Sequence, residues 1–185
     1  INGYAMVAPF WADVDTRGGF GSVHYKMTTN PNRLVVIWDK VGYYNIQGDK
    51  RNTFQLIITD GNDPLIGLGH NVAFAYESME WTTGSASGGV NGFGGSAATV
   101  GINKGNGVDF ALVGRFRWPG TDFIGVNSVD NQVGWLTNKR FAFDACVEDP
   151  VIPQPPSEVP LSDWALYVGI ALMLTFVVIR FRRIF

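Results

Sequence analysis

Short apolar runs, separated by Gly, Asn, Asp and Pro breaks, fill most of this chain, and a different pattern takes over near its C-terminus. The first run, "YAMVAPFWADV", gives way to "TRGGFGS", whose glycines permit a tight turn. "VHYKM" alternates and stops at Asn30-Pro31-Asn32. "RLVVIWDKVGYY" is the strongest strand, rich in β-branched and aromatic residues, and its continuous apolar centre predicts burial on both faces. In "NTFQLIIT", Phe54, Leu56 and Ile58 share one face. "NVAFAYE", "AATVGIN", "DFALVGRF" and "KRFAFDA" read as further strands, and no long helical period occurs before the tail. This rhythm of strand and turn predicts a mainly β protein, a sandwich-like antiparallel domain over residues 1–148. Residues 84–107 hold nine glycines in 24 positions and read as loop or irregular strand. No helical pattern follows them, so a phosphate-cradling loop is not expected.

The tail changes the period. Five of the twelve residues from 149 to 160 are proline, which predicts an extended linker and a domain boundary. From Trp164 to Ile179, sixteen residues carry no charge, and Arg180, Arg182 and Arg183 follow directly. A helix over the nineteen residues 161–179 would be about 28 Å long, close to the ~30 Å hydrocarbon thickness. The run has almost no polar stripe, which argues against a buried core helix. Residues 161–185 are therefore expected to form one transmembrane helix, with the arginines cytoplasmic and the domain outside.

Composition excludes one class of partner. Residues 1–160 hold 11 Lys/Arg and 15 Asp/Glu, a net charge of −4. The body thus lacks the basic field that nucleic-acid binding needs. Cys146 is the only cysteine, so no disulfide forms within the chain. Ile1 opens directly into an apolar segment without an initiator Met, and the chain reads as a fragment or processed product.

Two resemblances follow. "APFWADVD" (Ala8 to Asp15), "WDKV" (Trp38 to Val41), "NTFQ" (Asn52 to Gln55), "WTTG" (Trp81 to Gly84) and "VGINKGNG" occur in this order. They resemble the NIDO domain, the extracellular domain first described in nidogen, over about residues 4–145. The resemblance implies an extracellular module of surface and matrix proteins, associated with adhesion and without known catalytic residues. The tail resembles bacterial C-terminal sorting signals of the PEP-CTERM and IPTL-CTERM type. Val159, Pro160, Leu161, Ser162, Asp163 and Trp164 stand at the motif position, and Arg180, Arg182 and Arg183 form the basic end. That resemblance implies an exosortase-like protease as partner; the plainer alternative is an ordinary single-span anchor.

Few residues suggest chemistry. Asp13 and Asp15 are two apart and would share a strand face. Such a pair can bind calcium through oxygen or do acid–base work; the favoured reading is that the two carboxylates hold turn backbone or pair with Arg17. Asp60, Asn62 and Asp63 form an oxygen-rich turn without EF-hand spacing. His24 and His70 have no second ligand at metal-binding spacing. The body's tryptophans, Trp11, Trp38, Trp81, Trp118 and Trp135, are expected in the core. Arg115 and Arg117 alternate beside Trp118, as a solvated face or as a carbohydrate- or acid-binding patch.

The combined reading is a bacterial surface or secreted protein whose β domain mediates adhesion or matrix contact with a protein or glycan ligand. No catalytic residue and no cofactor is assigned beyond the calcium candidates Asp13 and Asp15. The alternatives are an accessory domain of a larger surface hydrolase and a constitutive single-span membrane protein.

Overall fold

The computed structural model describes residues 3–145. Ten strands occur in them: β1 (Met6–Trp11), β2 (Val14–Asp15), β3 (Ser22–Thr29), β4 (Asn32–Tyr43) and β5 (Gln47–Thr59), then β6 (Val72–Ser78), β7 (Ala98–Asn103), β8 (Phe110–Trp118), β9 (Asn131–Gln132) and β10 (Arg140–Phe143). A four-stranded sheet has the order β1-β7-β8-β9. A six-stranded sheet runs β10-β6-β5-β4-β2, with β3 also paired to β4. One core takes side chains from both, among them Phe10, Val100 and Phe116 from the first and Phe54, Phe74 and Tyr76 from the second. The sandwich expected from alternation is therefore present. The pairing is antiparallel except between β8 and β9, which run parallel.

Registration explains why alternation succeeds. Opposed residues on neighbouring strands face the same side. The register aligns Val23, Trp38, Phe54 and Tyr76 in one row, and Tyr25, Val36, Leu56 and Phe74 in the next. A third row is Met27, Leu34, Ile58 and Val72. Burial rises along each row toward β6, and the β3 members stay exposed. Ile57 and Ala73 face the other way, where Ile66 and Val35 join them in a second small cluster. The apolar centre of β4, from Leu34 to Trp38, is thus half-buried on both faces, and the strand is sealed only at its end, where Val41 and Tyr43 enter the core.

Glycine shapes the β4–β5 hairpin. A Cβ on Gly48 would collide with the ring of Phe20, so that ring lies directly on the bare backbone. Arg51 then stacks on Phe20 at 5.3 Å, a cation–π contact.

The linker over 149–160 and the transmembrane helix over 161–185 lie outside the described residues, as do Cys146, the sorting motif at 159–164 and Arg180, Arg182 and Arg183. Among the described residues no helix is long and apolar enough to cross a membrane.

Candidate functional site

Residues from four of the recurring segments meet at Trp81, which is fully buried. Phe10 packs edge-on against it at 5.6 Å, and Tyr43 lies at 5.4 Å. Phe54 touches Phe10 and stacks on Trp38 at 4.8 Å. The Trp81 indole N–H donates to the Val41 carbonyl at 3.0 Å. Asn52, also fully buried, grips the same residue's backbone. Its Nδ2 donates to the Trp81 carbonyl at 2.9 Å, and its Oδ1 accepts from the N–H groups of Glu80 and Trp81. Thr82 and Thr83 are buried and donate hydroxyl bonds to the Arg117 and Ser96 carbonyls. These polar residues are occupied in holding the scaffold, which leaves none of them free for chemistry.

The carboxylates Asp13 and Asp15 sit beside this junction but do not form a pair. Asp13 falls in the break between β1 and β2, so the shared strand face expected from their spacing does not exist. Its carboxylate accepts from the N–H groups of Gly84 at 2.7 Å and Ser87 at 3.2 Å. A Cβ on Gly84 would collide with the Tyr44 carbonyl and with this carboxylate, which is why the Trp-Thr-Thr segment ends in glycine. Asp15 is buried and accepts from Arg17 Nε at 2.8 Å, Arg17 Nη2 at 2.6 Å and the Ile46 N–H at 3.0 Å. Ile46 needs that anchor, since its φ of +54° is costly for a β-branched residue. Every oxygen of both carboxylates already accepts an N–H, so calcium would have to displace Arg17 or the 84–87 backbone. Among the described residues no three His, Cys, Asp or Glu side chains gather to hold a metal.

The oxygen-rich turn is structural too. Asp63 is buried and accepts bidentately from Arg33, at 2.5 and 2.8 Å, and from the Leu65 N–H. His24 bonds Ser22 at 2.6 Å, and His70 keeps its buried Nδ1 without a partner.

These contacts set an acid limit. Hydrogen bonds from Arg17 hold Asp15 well below the usual carboxylate range, and those from Arg33 lower Asp63. Lys50 and Tyr43 lower Asp49 in the same way. Each group therefore binds its proton more readily in the unfolded chain. Their stabilisation is present above about pH 4 and is lost progressively as pH falls below it. Thermal melts are expected to hold steady from about pH 7 to 5 and to fall below about pH 4. Asp63→Asn should be less stable at neutral pH and lose less on acidification. A melting temperature unchanged down to about pH 2.5 would contradict this account.

The outer face of the four-stranded sheet is differently built. Between Ala8 and Trp11, β1 carries an extra residue opposite β7, and β8 carries one opposite Val100 and Gly101. A bulge reverses side-chain parity beyond it. Ala8 and Leu112 face outward with Gly101, and after the bulges Trp11 and Arg115 face outward in one row with Thr99. Phe10 and Phe116 consequently turn into the core. The result is an open groove of about 940 Å³. Small residues (Ala8, Thr99 and Gly101) lie within it, and Tyr4, Trp11, Phe110 and Arg115 border it. Trp11 and Phe110 are each 65% exposed. The expectation that all body tryptophans are core residues fails at Trp11 and at Trp118, whose indole donates to Asp130 at 3.0 Å. Trp38, Trp81 and Trp135 do belong to the core.

Comparison with known proteins fits this architecture. The Nidogen-like domain family matches residues 31–134, a narrower span than the 4–145 resemblance drawn from motifs. It runs from the β3–β4 turn to the Gly134 turn and includes the Trp38, Asn52 and Trp81 segments; "APFWADVD" lies outside it. Alpha-tectorin of Gallus gallus is 32% identical over 157 residues, covering 70% of this chain and 7% of that protein. Alpha-tectorin of Homo sapiens is 33% identical over 168 residues, covering 77% of this chain and 7% of that protein. The chain thus spans under a tenth of the length of these relatives. No solved structure matches significantly. The matched span is more than half of the chain, and it contains three of the four segments that meet at Trp81. The chain belongs to the nidogen-like (NIDO) domain family.

Proposed function

We infer that this chain is an extracellular binding module, acting in adhesion or matrix contact. The observation that carries the reading is the division of labour around Trp81. The side chains that meet at Trp81 build the scaffold, while Trp11 of "APFWADVD" turns outward onto an open face with exposed aromatics that is left for contact. The role is one of binding, and no residue is assigned to catalysis. The tail, with its Pro-rich stretch, uncharged run and arginines, supports delivery across a membrane and retention or sorting at the surface. In this reading, a protease of the exosortase type acts near residues 159–164 of a bacterial precursor.

Beads coated with the full chain should be retained on matrix-coated or cell surfaces. Absence of retention on every such surface, with the far-ultraviolet spectrum of a folded β protein, would overturn the binding role. Intact mass of the protein recovered from cell envelope and medium tests the tail separately. Loss of the residues beyond about position 159 supports sorting, and retention of Phe185 in the mature pool overturns it in favour of a permanent anchor.

A further inference from the structure

We propose that the outer face of the β1-β7-β8 sheet is a binding groove for an acidic polysaccharide, with Trp11 stacking on a sugar ring and Arg115 pairing with its carboxylate or sulfate. This rests on the binding role inferred above and names its ligand class.

The argument begins with the two bulges. Regular alternation would place Trp11 and Arg115 on the core side; one extra residue in each flanking strand turns both outward in the same row. Bulges are strand-specific devices that re-aim side chains, and two at one level of a sheet act together. Their product is an indole and a guanidinium on opposite sides of Thr99, separated by two strand spacings, about 10 Å. Phe110 stands at the other end, in the row of Met6 and Asn103. Four residues along β7 separate the rows, about 13 Å, which is room for a few sugar rings. The floor between them is Ala8, Gly101 and Leu112, apolar throughout and low over β1 and β7, so a flat ligand can lie against the sheet.

Charge selects the ligand. The body is net acidic, yet this face presents two arginines spaced i and i+2 on β8, about 7 Å apart. Arg117 is partly neutralised, with Nη1 3.7 Å from Asp130, although its buried Nε has no partner. Arg115 is exposed and pairs with no carboxylate among the described residues. Asp109, the acidic residue lining the groove, is engaged by Asn106 at 2.5 Å and faces Lys104 at 3.9 Å. An unpaired guanidinium beside exposed rings fits an anion that also carries an apolar face.

A peptide fits less well. Extended peptides gain affinity by main-chain pairing along a sheet edge. This groove lies on a face between paired strands, where the ladder groups of β7 are already engaged on both sides. Aromatic planes and a cation are what the face offers, and acidic sugars present the complementary pair of features.

The test uses the full 185-residue chain in mild detergent, titrated with polygalacturonate, dextran sulfate, neutral dextran and polyglutamate. Binding to one of the two anionic polysaccharides is expected, and which one identifies carboxylate or sulfate as the partner. Arg115→Ala and Trp11→Ala should each weaken it about tenfold or more, while Lys26→Ala on β3, away from the groove, should change it less than about twofold. All three side chains are exposed, so folding is preserved and circular dichroism should not change. Undiminished binding by Arg115→Ala, an equal loss in Lys26→Ala, or equally tight neutral dextran would overturn the assignment. Polyglutamate binding with the same Arg115 dependence would replace the sugar with a peptide and also overturn it. If no polysaccharide binds while the coated beads are still retained, the groove assignment falls and the adhesive role stands.

Discussion

Trp81→Ala is expected to destabilise the domain by about 4 kcal/mol, the largest effect of any single side chain in the core. The indole is fully buried and touches rings from β1 and β4. Large-to-small changes of this kind cost about 3–5 kcal/mol through lost transfer energy and an unfilled cavity. The Val41 carbonyl also loses its donor and stays buried, which adds to the cost. Against a total stability of about 5–15 kcal/mol, such a loss leaves a marginal protein. Trp81→Phe keeps a ring for Phe10 and Tyr43 and removes the N–H; about 1–2 kcal/mol is expected. Urea unfolding at matched m-values measures both. A loss under about 2 kcal/mol for Trp81→Ala would mean that the segments do not depend on the indole to meet.

Asn131→Ala should come next, at about 3 kcal/mol, and for a different reason. Asn131 is fully buried and works as a polar hub. Its Oδ1 accepts from the N–H groups of Ile124 at 2.8 Å and Gly125 at 3.1 Å. Its two Nδ2 hydrogens are shared among the carbonyls of Arg115, Gly125 and Ser128, at 2.9 to 3.0 Å. Alanine strands several of these backbone groups, each costing about 1–3 kcal/mol where water cannot reach. Asn131→Asp keeps the acceptor but gives up the donors and brings a charge into a buried site, so it should not rescue. Hydrogen exchange separates the two mechanisms. Asn131→Ala should release the amides of Ile124 and Gly125 first, whereas Trp81→Ala should speed exchange across both sheets. Because Asn131 holds the Arg115 carbonyl, its loss should also weaken the groove's anion binding. Protection of Ile124 and Gly125 unchanged in Asn131→Ala would remove the hub from the account.

Much of the framework was legible in the chain because β3 to β6 obey a simple alternation, and their rows follow once register is known. The Asp15–Arg17 contact was legible as well, being local. Other features needed the third dimension. β9 is two residues long and parallel to β8, too short for any period. Asn52 and Asn131 look like ordinary polar residues in sequence; only burial among unpaired backbone groups makes them hubs. Asp13 and Asp15 do hold turn backbone and pair with Arg17, as favoured from sequence, but a strand break between β1 and β2 cancels the shared face that the two-residue rule suggested. The groove was half legible. Arg115 and Arg117 stood out as alternating cations, but Trp11 read as core, since a bulge is invisible to a count that assumes every strand residue is paired.

The paired bulges make the exposed chemistry depend on residue number more than on residue identity. Inserting one residue in β7 between Val100 and Gly101 would give the extra residues of β1 and β8 a partner and swing Trp11 and Arg115 inward together. Most point changes on this face would retune it, while a single in-frame codon gained in β7 would exchange its inside for its outside. In this lineage, gain or loss of the surface should therefore track changes of length in β7 against its two flanking strands, with substitutions setting only its flavour.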